Sequence, residues 1–275
     1  MQPFTKRVSG FSIEQYNGGM KFRNGDTIIA RITPCLENGK TAYIDILENN
    51  EIGFGSTEYI VLREKEDISD KQFIYYFSIS DEFRDVAILA MTGSSGRQRV
   101  ETDVVKNHTF LLPPLPEQKA IAAVLSSLDD KIDLLHRQNK TLETMAETLF
   151  RQWFVEEADE GWEEVPLSFF AENIRENVKV ENLSDHKHYV GLEHIPRKRV
   201  ILDSWGTTDS IESNKSTFKK YDILFGKLRS YFHKVVYTPI GGVCSTDILV
   251  IRPKKEHWQP FCLFWFFSKD VVEHS

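Results

Sequence analysis

The sequence predicts an α+β chain: two similar globular domains joined by one long coiled-coil helix. Three observations lead there. A central run free of proline and glycine carries a heptad stripe. Segments with strand alternation and segments with helical spacing lie on both sides of it. The strand segments on one side then recur on the other.

In chain order, residues 1–20 hold Gly10, Gly18 and Gly19 without a clear period and read as a loop or ragged start. Lys21–Ile32 reads as a turn at Asn24-Gly25 followed by a β-branched strand from Asp26, and Lys40–Ile46 and Gly55–Arg63 as two further strands. Asp70–Phe83 and Asp81–Met91 have helical spacing, Thr92–Arg99 is a glycine-rich loop, and Val104–Leu112 is expected to be a strand. Pro113, Pro114 and Pro116 then punctuate a helix start, and Glu117–Phe154 has no further helix breaker. Ile121, Leu125, Leu128, Ile132, Leu135, Asn139, Leu142, Ala146, Leu149 and Trp153 fall at alternating steps of four and three, the seam of a coiled coil. One helix cannot bury its own seam, so the stripe calls for an apolar partner, with Asn139 as a selector of register. A long core helix within one domain is the alternative that the pattern leaves open. Beyond the acidic stretch Glu156–Glu164, Leu167–Ile174 is expected to be a short helix, His188–Leu192 a strand, and Lys219–Arg229 a turn and strand. Phe261–Phe267 has adjacent aromatics that suit a helix packed in a core.

The repeat is direct. Asp26–Ile32 aligns with Asp222–Leu228 at an offset of 196 (222 − 26), and Ser56–Arg63 with Ser245–Arg252 at 189 (245 − 56). Phe73–Ser78 matches Phe261–Ser268 loosely. The expected boundaries are 1–114 for a first domain lacking its N-terminal part, 115–157 for the helix, and 158–275 for a second domain lacking its C-terminal part. The first copy has no evident counterpart of Trp162–Ser216, and the second none of Asp81–Leu112.

The stretch Leu112–Leu135 (LPPLPEQKAIAAVLSSLDDKIDLL), followed by N-K-T-L-E-x-M-A-x-x-L-F-R-Q-W-F, closely resembles the conserved spacer helix of type I restriction-modification specificity subunits. The resemblance covers about forty residues. It implies that the flanking domains are target-recognition domains, each reading one half of a split double-stranded DNA site, with no catalytic activity in the chain. It also implies that the helix spaces them and docks methyltransferase subunits, with endonuclease subunits joining through these. Methyl donor and ATP would be held by those partners, so no cofactor is expected here. Because one such helix is evident, its partner is to come from a second copy, from another subunit or from residues outside this sequence; a head-to-tail homodimer with antiparallel helices is the arrangement expected, in which residues 162–275 of one copy could complete 1–112 of the other.

Composition agrees with a globular chain and a cytoplasmic setting: 41% hydrophobic and 27% charged residues, no apolar run that could span a membrane, and only Cys35, Cys244 and Cys262, widely spaced. The net charge of −7 counts against indiscriminate coating of nucleic acid. A self-contained methyltransferase or nuclease is disfavoured: no GxxxxGK[ST], GxSxG or HExxH motif occurs, and Pro113-Pro114 is followed by leucine and a helix. His186, His188 and His194 lack a spaced further ligand, so no metal is expected. Asp26/Arg31 and Asp222/Lys227 recur as acid–base pairs, for which a turn aspartate followed by a strand cation is the plainer explanation. A truncated subunit that assembles without reading DNA is the other alternative.

For binding, strand alternation places Lys227, Arg229 and Tyr231 on one face, with Arg31 and Thr33 equivalent in the first copy. Arg97 and Arg99 follow Gly93 and Gly96, where bare backbone can approach a phosphate. Guanidinium forks, ammonium groups and short hydroxyls are the donors that phosphates and guanine accept. The candidate DNA-contacting set is Arg31, Thr33, Ser56, Thr57, Arg97 and Arg99, with Lys219, Lys220, Lys227, Arg229, Tyr231, Ser245 and Thr246 in the second copy. Arg197, Lys198 and Arg199 form a basic turn that nothing in the repeat supports.

Overall fold

The computed structural model describes residues 1, 5–8, 10–185, 187–209, 211–228 and 230–273. The chain divides into two compact units, Met1–His136 and Arg137–Ser275.

The first unit is built on β1 (Met20–Phe22), β2 (Thr27–Ala30), β3 (Thr41–Tyr43), β4 (Gly53–Gly55) and β5 (Tyr59–Leu62). These give an antiparallel sheet of order β3-β2-β5 and a two-stranded sheet β1-β4. Helices α1 (Lys71–Ile79) and α2 (Asp81–Leu89) follow, then the hairpin β6 (Met91–Thr92)–β7 (Arg99–Val100) and the short α3 (Thr102–Asn107). Asp70 caps α1 by accepting from the amides of Gln72 and Phe73 at 3.0 and 2.9 Å. Ile29, Leu36, Phe83, Ala87, Ala90 and Val100 form one core between sheet and helices, and Ile28, Ala42 and Ile44 another on the opposite sheet face. This is what uninterrupted apolar Ile28-Ile29 in a strand requires, since neighbouring side chains point to opposite faces.

Helix α4 (Leu115–Arg151) ends in a π turn, Gln152–Glu156. Its start is anchored in the first unit by Gln118, which is fully buried: Nε2 donates to Ile68 O at 3.0 Å and Pro113 O at 2.8 Å, and Oε1 accepts from Asp70 N at 2.9 Å. Ala122 is buried among Tyr43, Tyr75 and Tyr76, with Leu125 packed beside them. The first turns of the seam thus pack on the chain's own globular unit. From Leu128 to Trp153 the picture changes. Leu128, Ile132, Leu135, Leu142, Leu149 and Trp153 are exposed, and so is Asn139.

The second unit contains β8 (Ala171–Ile174), β9 (Asn177–Val178), β10 (Tyr189–Val190), β11 (Lys215–Phe218), β12 (Ile223–Gly226), β13 (Val235–Tyr237), β14 (Gly242–Cys244) and β15 (Ile248–Pro253). Two four-stranded sheets result, of order β10-β14-β11-β9 and β13-β12-β15-β8. Helices α5 (Gln259–Phe267) and α6 (Lys269–Glu273) complete it. Cys262, Leu263, Phe266 and Phe267 are buried against the β12–β13–β15 face, so the aromatic run is core, as expected. Phe150 near the end of α4 packs on Phe261 and Phe264 in the same unit.

The internal repeat extends to individual hydrogen-bond registers. Thr27, Ile28, Ile29 and Ala30 face Leu62, Val61, Ile60 and Tyr59; Ile223, Leu224, Phe225 and Gly226 face Ile251, Val250, Leu249 and Ile248. Met20–Phe22 against Gly55–Gly53 recurs as Ser216–Phe218 against Cys244–Gly242. The turn before each central strand needs a left-handed residue. Gly25 supplies it in one copy (φ 94°) and Tyr221 in the other (φ 78°), and both donate across to the third strand.

Four expectations need correction. Val104–Leu112 is not a strand: Thr102–Asn107 is helical, with acidic Asp103 in its first turn, basic Lys106 in its last, and Asn107 bonded back to Asp103 O at 2.8 Å. Leu167–Ile174 is not a helix beyond the 3-10 turn Leu167–Phe169. Its remainder pairs with the edge of β15, a tertiary contact that overrides local spacing. The start of the chain is not ragged throughout, since Lys6 O accepts from Tyr43 N at 2.9 Å and Val8 packs on the Ile28 core. Val200 O and Leu202 do the same at Tyr237 and the Leu224 core, so the first copy's missing counterpart reaches only to about Ile195, not Ser216.

Candidate nucleic-acid interface

Three segments of the first unit meet where β2 ends. Arg31 N donates to Glu58 O at 3.0 Å, Thr33 N to Gln98 O at 3.0 Å, and Val100 N to Arg31 O at 2.9 Å. The outgoing end of β2, the turn before β5 and the strand after the glycine loop are thereby adjacent. Gly93 has φ 122°, and a Cβ there would crowd Arg97 O at 3.3 Å, so the loop needs a glycine. All six first-copy candidates belong to these segments: Arg31, Thr33, Ser56, Thr57, Arg97 and Arg99. Ser56, Thr57, Arg97 and Arg99 are exposed; Arg31 and Thr33 are half-buried.

Glu58, which sequence reasoning passed over, sits at the centre. It accepts from Arg99 Nε at 2.9 Å and from Arg31 Nε at 3.3 Å. The Arg99 hydrogen bond is the main reason its carboxyl is held below the usual glutamate range. Desolvation opposes the shift and Arg31 adds to it. Two guanidinium groups on one carboxylate leave a net positive charge whose forks are already oriented. Ser56 Oγ accepts from Glu58 N at 3.1 Å, fixing the turn, while Thr33 Oγ1 donates to Glu37 at 3.0 Å.

The second unit repeats the scaffold with other chemistry. Lys227 N donates to Asp247 O at 2.9 Å, and Ser245 Oγ accepts from Asp247 N at 3.3 Å. Lys227 and Thr246 are exposed, Ser245 half-buried. Tyr231 is exposed on the turn Ser230–Phe232, its ring 4.5 Å from that of Phe232. Arg229 lies outside the described residues, as does His186. Lys219 and Lys220 are exposed, but they precede β12 whereas Lys227 follows it; the structure sets them at the opposite end of the strand. The basic turn that the repeat did not support comes close instead. Arg197 stacks over Phe232, 3.6 Å from the ring centroid, and Lys198 N donates to His233 O at 3.2 Å. Arg199 is taken up by Asp203 at 2.6 Å. Burial and then the nearby Arg197 push the Lys234 ammonium pKa down, with Glu193 opposing. The signal available for Arg197 was its charge; its proximity is set by a fold contact thirty-five residues away in sequence (232 − 197).

The recurrent aspartates are structural. Asp26 is gripped by Arg63 through two bonds of 2.7 Å, and Asp222 by Arg252 at 2.8 and 2.7 Å. Each also accepts from a backbone amide of the preceding turn, Arg23 N at 2.8 Å or Lys219 N at 2.7 Å. Their partners are not Arg31 and Lys227. His188 Nδ1 lies 3.1 Å from Gly241 O, and His194 Nδ1 accepts from Gly191 N at 2.9 Å. Among the described residues no group of His, Cys, Asp and Glu could hold a metal, and no helix is long and apolar enough to cross a membrane.

The chain thus carries one domain type twice, with a long helix between the copies in sequence and polar groups gathered at the ends of equivalent strands. The chain belongs to the family of the type I restriction modification DNA specificity domain, whose profile matches residues 6–144. It is similar to the EcoAI type I restriction enzyme specificity subunit of Escherichia coli, 36% identical over 160 residues, covering 55% of this chain and 27% of that protein. It is also similar to the EcoEI specificity subunit of the same organism, 31% identical over 164 residues, covering 57% and 27%. The MjaIX specificity subunit of Methanocaldococcus jannaschii is 24% identical over 236 residues, covering 73% and 53%. The chain thus spans about a quarter to a half of the length of these relatives. A solved S subunit of a type I restriction-modification system from M. genitalium is 16% identical with a TM-score of 0.45, covering 99% of this chain and 72% of that one.

Proposed function

We propose that the chain is a non-catalytic reader of double-stranded DNA within a type I restriction-modification complex. Residues 1–114 and 158–275 act as recognition domains, each on one half of a bipartite site, and 115–157 is the spacer. The observation that carries this is the convergence of the first-copy candidates on one strand end, around Glu58, with Lys227, Ser245 and Thr246 at the matching end of the second copy. Phosphate contacts would set salt-dependent affinity, and oriented arginine forks would read base edges. The exposed seam from Leu128 to Trp153 supports docking of methyltransferase subunits, and of endonuclease subunits through them, or pairing with a second copy of α4. Cytoplasm is the compartment where such a complex meets DNA.

The test is expression with type I methyltransferase subunits in a host lacking other adenine methylation, followed by long-read mapping of modified bases. A split motif in which Arg31→Ala alters one half only and Lys227→Ala the other is the expected result. No modification while the subunits co-purify with the chain would refute DNA reading and favour the assembly-only alternative.

A further inference from the structure

The outgoing end of β12 is built differently from that of β2. Asp247 stands where the first copy has Glu58 (247 − 189), and Lys227 where it has Arg31 (227 − 196). Glu58 holds two arginines, whereas Asp247 Oδ2 accepts from Ser245 Oγ at 3.4 Å and pairs with no cation among the described residues. The loops that follow differ too. Between β2 and β3, Leu36 turns into the core and is 1% exposed; between β12 and β13, Leu228 and Tyr231 are 54% and 64% exposed. Tyr231 and Phe232 form a ring pair 4.5 Å apart, and Arg197 lies over Phe232, its Cζ 3.6 Å from the ring centroid.

Arg197 is held there from both sides. Ile195 is 1% exposed in the Leu224 core, and Val200 is buried in the core that α5 covers. Lys198 takes a left-handed φ of 53° and donates its amide to His233 O at 3.2 Å. The ring of His233 in turn packs on buried Phe267, with 5.9 Å between centroids. The turn 195–200 is thus pinned at its ends, with Arg197 and Lys198 exposed between them. Arg199 is paired with Asp203, but among the described residues no carboxylate pairs with Arg197. Glu193, the nearest in sequence, lies 3.8 Å from His194. A guanidinium stacked by its face has its plane fixed and keeps its N–H edge free for a bidentate acceptor.

Two groups of a DNA duplex accept such a fork, a phosphate and the O6/N7 edge of guanine. The surroundings favour guanine. Lys198 and Lys227 are exposed ammonium groups, suited to phosphate as point charges. Leu228 and Tyr231, on the same loop as Phe232, are apolar surface that base edges and thymine methyl groups cover and a charged backbone does not. We propose that Arg197, its plane set by Phe232, is the residue with which the second unit reads a guanine in the major groove, so that a G·C pair belongs to that half-site. This assignment rests on the DNA reading and adds the base to it. Phe232 is a positioning residue, acting through Arg197.

The experiment uses the full chain with type I methyltransferase subunits, maps modified bases by long reads, and compares the unaltered chain with Arg197→Lys. Lysine keeps the charge and removes the fork. In the half altered by Lys227→Ala, preference for guanine should fall at least about tenfold at one position, with the other half unchanged. Affinity for random duplex and its salt slope should stay as they are. Phe232→Leu should relax the same position and Phe232→Tyr should keep it; if Phe232→Leu fails to fold, the exposed Arg197 decides through Arg197→Lys. An unaltered motif in Arg197→Lys overturns the proposal, as does relaxation spread over both halves. So does an Arg197→Gln chain that binds every duplex more weakly, with a salt slope reduced by about 1 and the motif intact, because that marks a phosphate contact. A complex that yields no motif at all refutes the DNA reading itself, whereas a motif indifferent to Arg197 refutes only the assignment of guanine.

Discussion

Replacing Asp222 with alanine removes the carboxylate that ties the turn before β12 to the end of β15. Asp222 is 2% exposed and receives two bonds from Arg252 and one from Lys219 N. Breaking a buried ion pair from one side costs about 3–5 kcal/mol when the remaining charge is left dry. Here the remaining guanidinium has a side chain 27% exposed and can recruit water, so Asp222→Ala is expected near the lower limit, about 3 kcal/mol. Arg252→Met leaves the carboxylate buried without a counter-charge and is expected to cost more, about 4–5 kcal/mol. The double variant Asp222→Leu/Arg252→Met removes both charges and should fall well short of the sum, with a coupling of at least about 2 kcal/mol. The assay is convenient because all five tryptophans, Trp153, Trp162, Trp205, Trp258 and Trp265, lie in the second unit. Urea unfolding followed by tryptophan fluorescence therefore reports that unit, and about 3 kcal/mol moves its midpoint by about 1–2 M. Asp26→Ala, the equivalent change in the first unit, should leave the fluorescence transition in place and shift circular dichroism instead. A cost below about 1 kcal/mol for Asp222→Ala, or strict additivity in the double variant, would refute the reasoning.

Four further outcomes are expected. Because Glu58 has a lowered pKa in the folded chain, its ion pairs stabilise the strand end above the ordinary glutamate range, and this contribution is lost as pH falls through the folded value; carboxyl NMR titration should show the shift, and Arg99→Gln should remove most of it. Glu58→Gln frees both guanidinium groups, so DNA affinity at low salt should rise and the log–log salt slope steepen by about 1, measured by fluorescence anisotropy on random duplex. Gln118→Leu removes the three hydrogen bonds that this buried side chain makes to backbone groups and should destabilise the first unit by about 1–3 kcal/mol, seen as a lower first transition in calorimetry with the second unchanged. Leu135→Lys on the exposed seam should leave both transitions unmoved while abolishing any concentration-dependent mass in light scattering; persistence of a dimer would place self-association elsewhere.

Much of the architecture is legible in sequence because it depends on local periodicity. The heptad run gives α4 from one end to the other, since no proline or glycine interrupts hydrogen bonds four residues apart. The aromatic run gives α5, and the repeated Asp-x-Ile and Ser-Thr segments locate the paired strands β2/β5 and β12/β15. The convergence of Arg31, Ser56 and Arg99 was anticipated only as membership of a set; what joins them is strand pairing between residues far apart in the chain.

The remainder was decided by tertiary contact. Whether Leu167–Ile174 is helix or strand depends on the free edge of β15, which no local window contains. Whether Asp26 and Asp222 are reactive or structural depends on Arg63 and Arg252, which approach only when the sheet closes. Arg197 reaches Phe232, and Glu58 collects two arginines, for the same reason. The sequence by itself determined one domain type present twice and a long amphipathic helix between the copies, because apolar spacing along the chain encodes both. Only the tertiary structure decided which charges are paired, which strand edges are closed and which are open, because those are properties of segments brought together from distant positions.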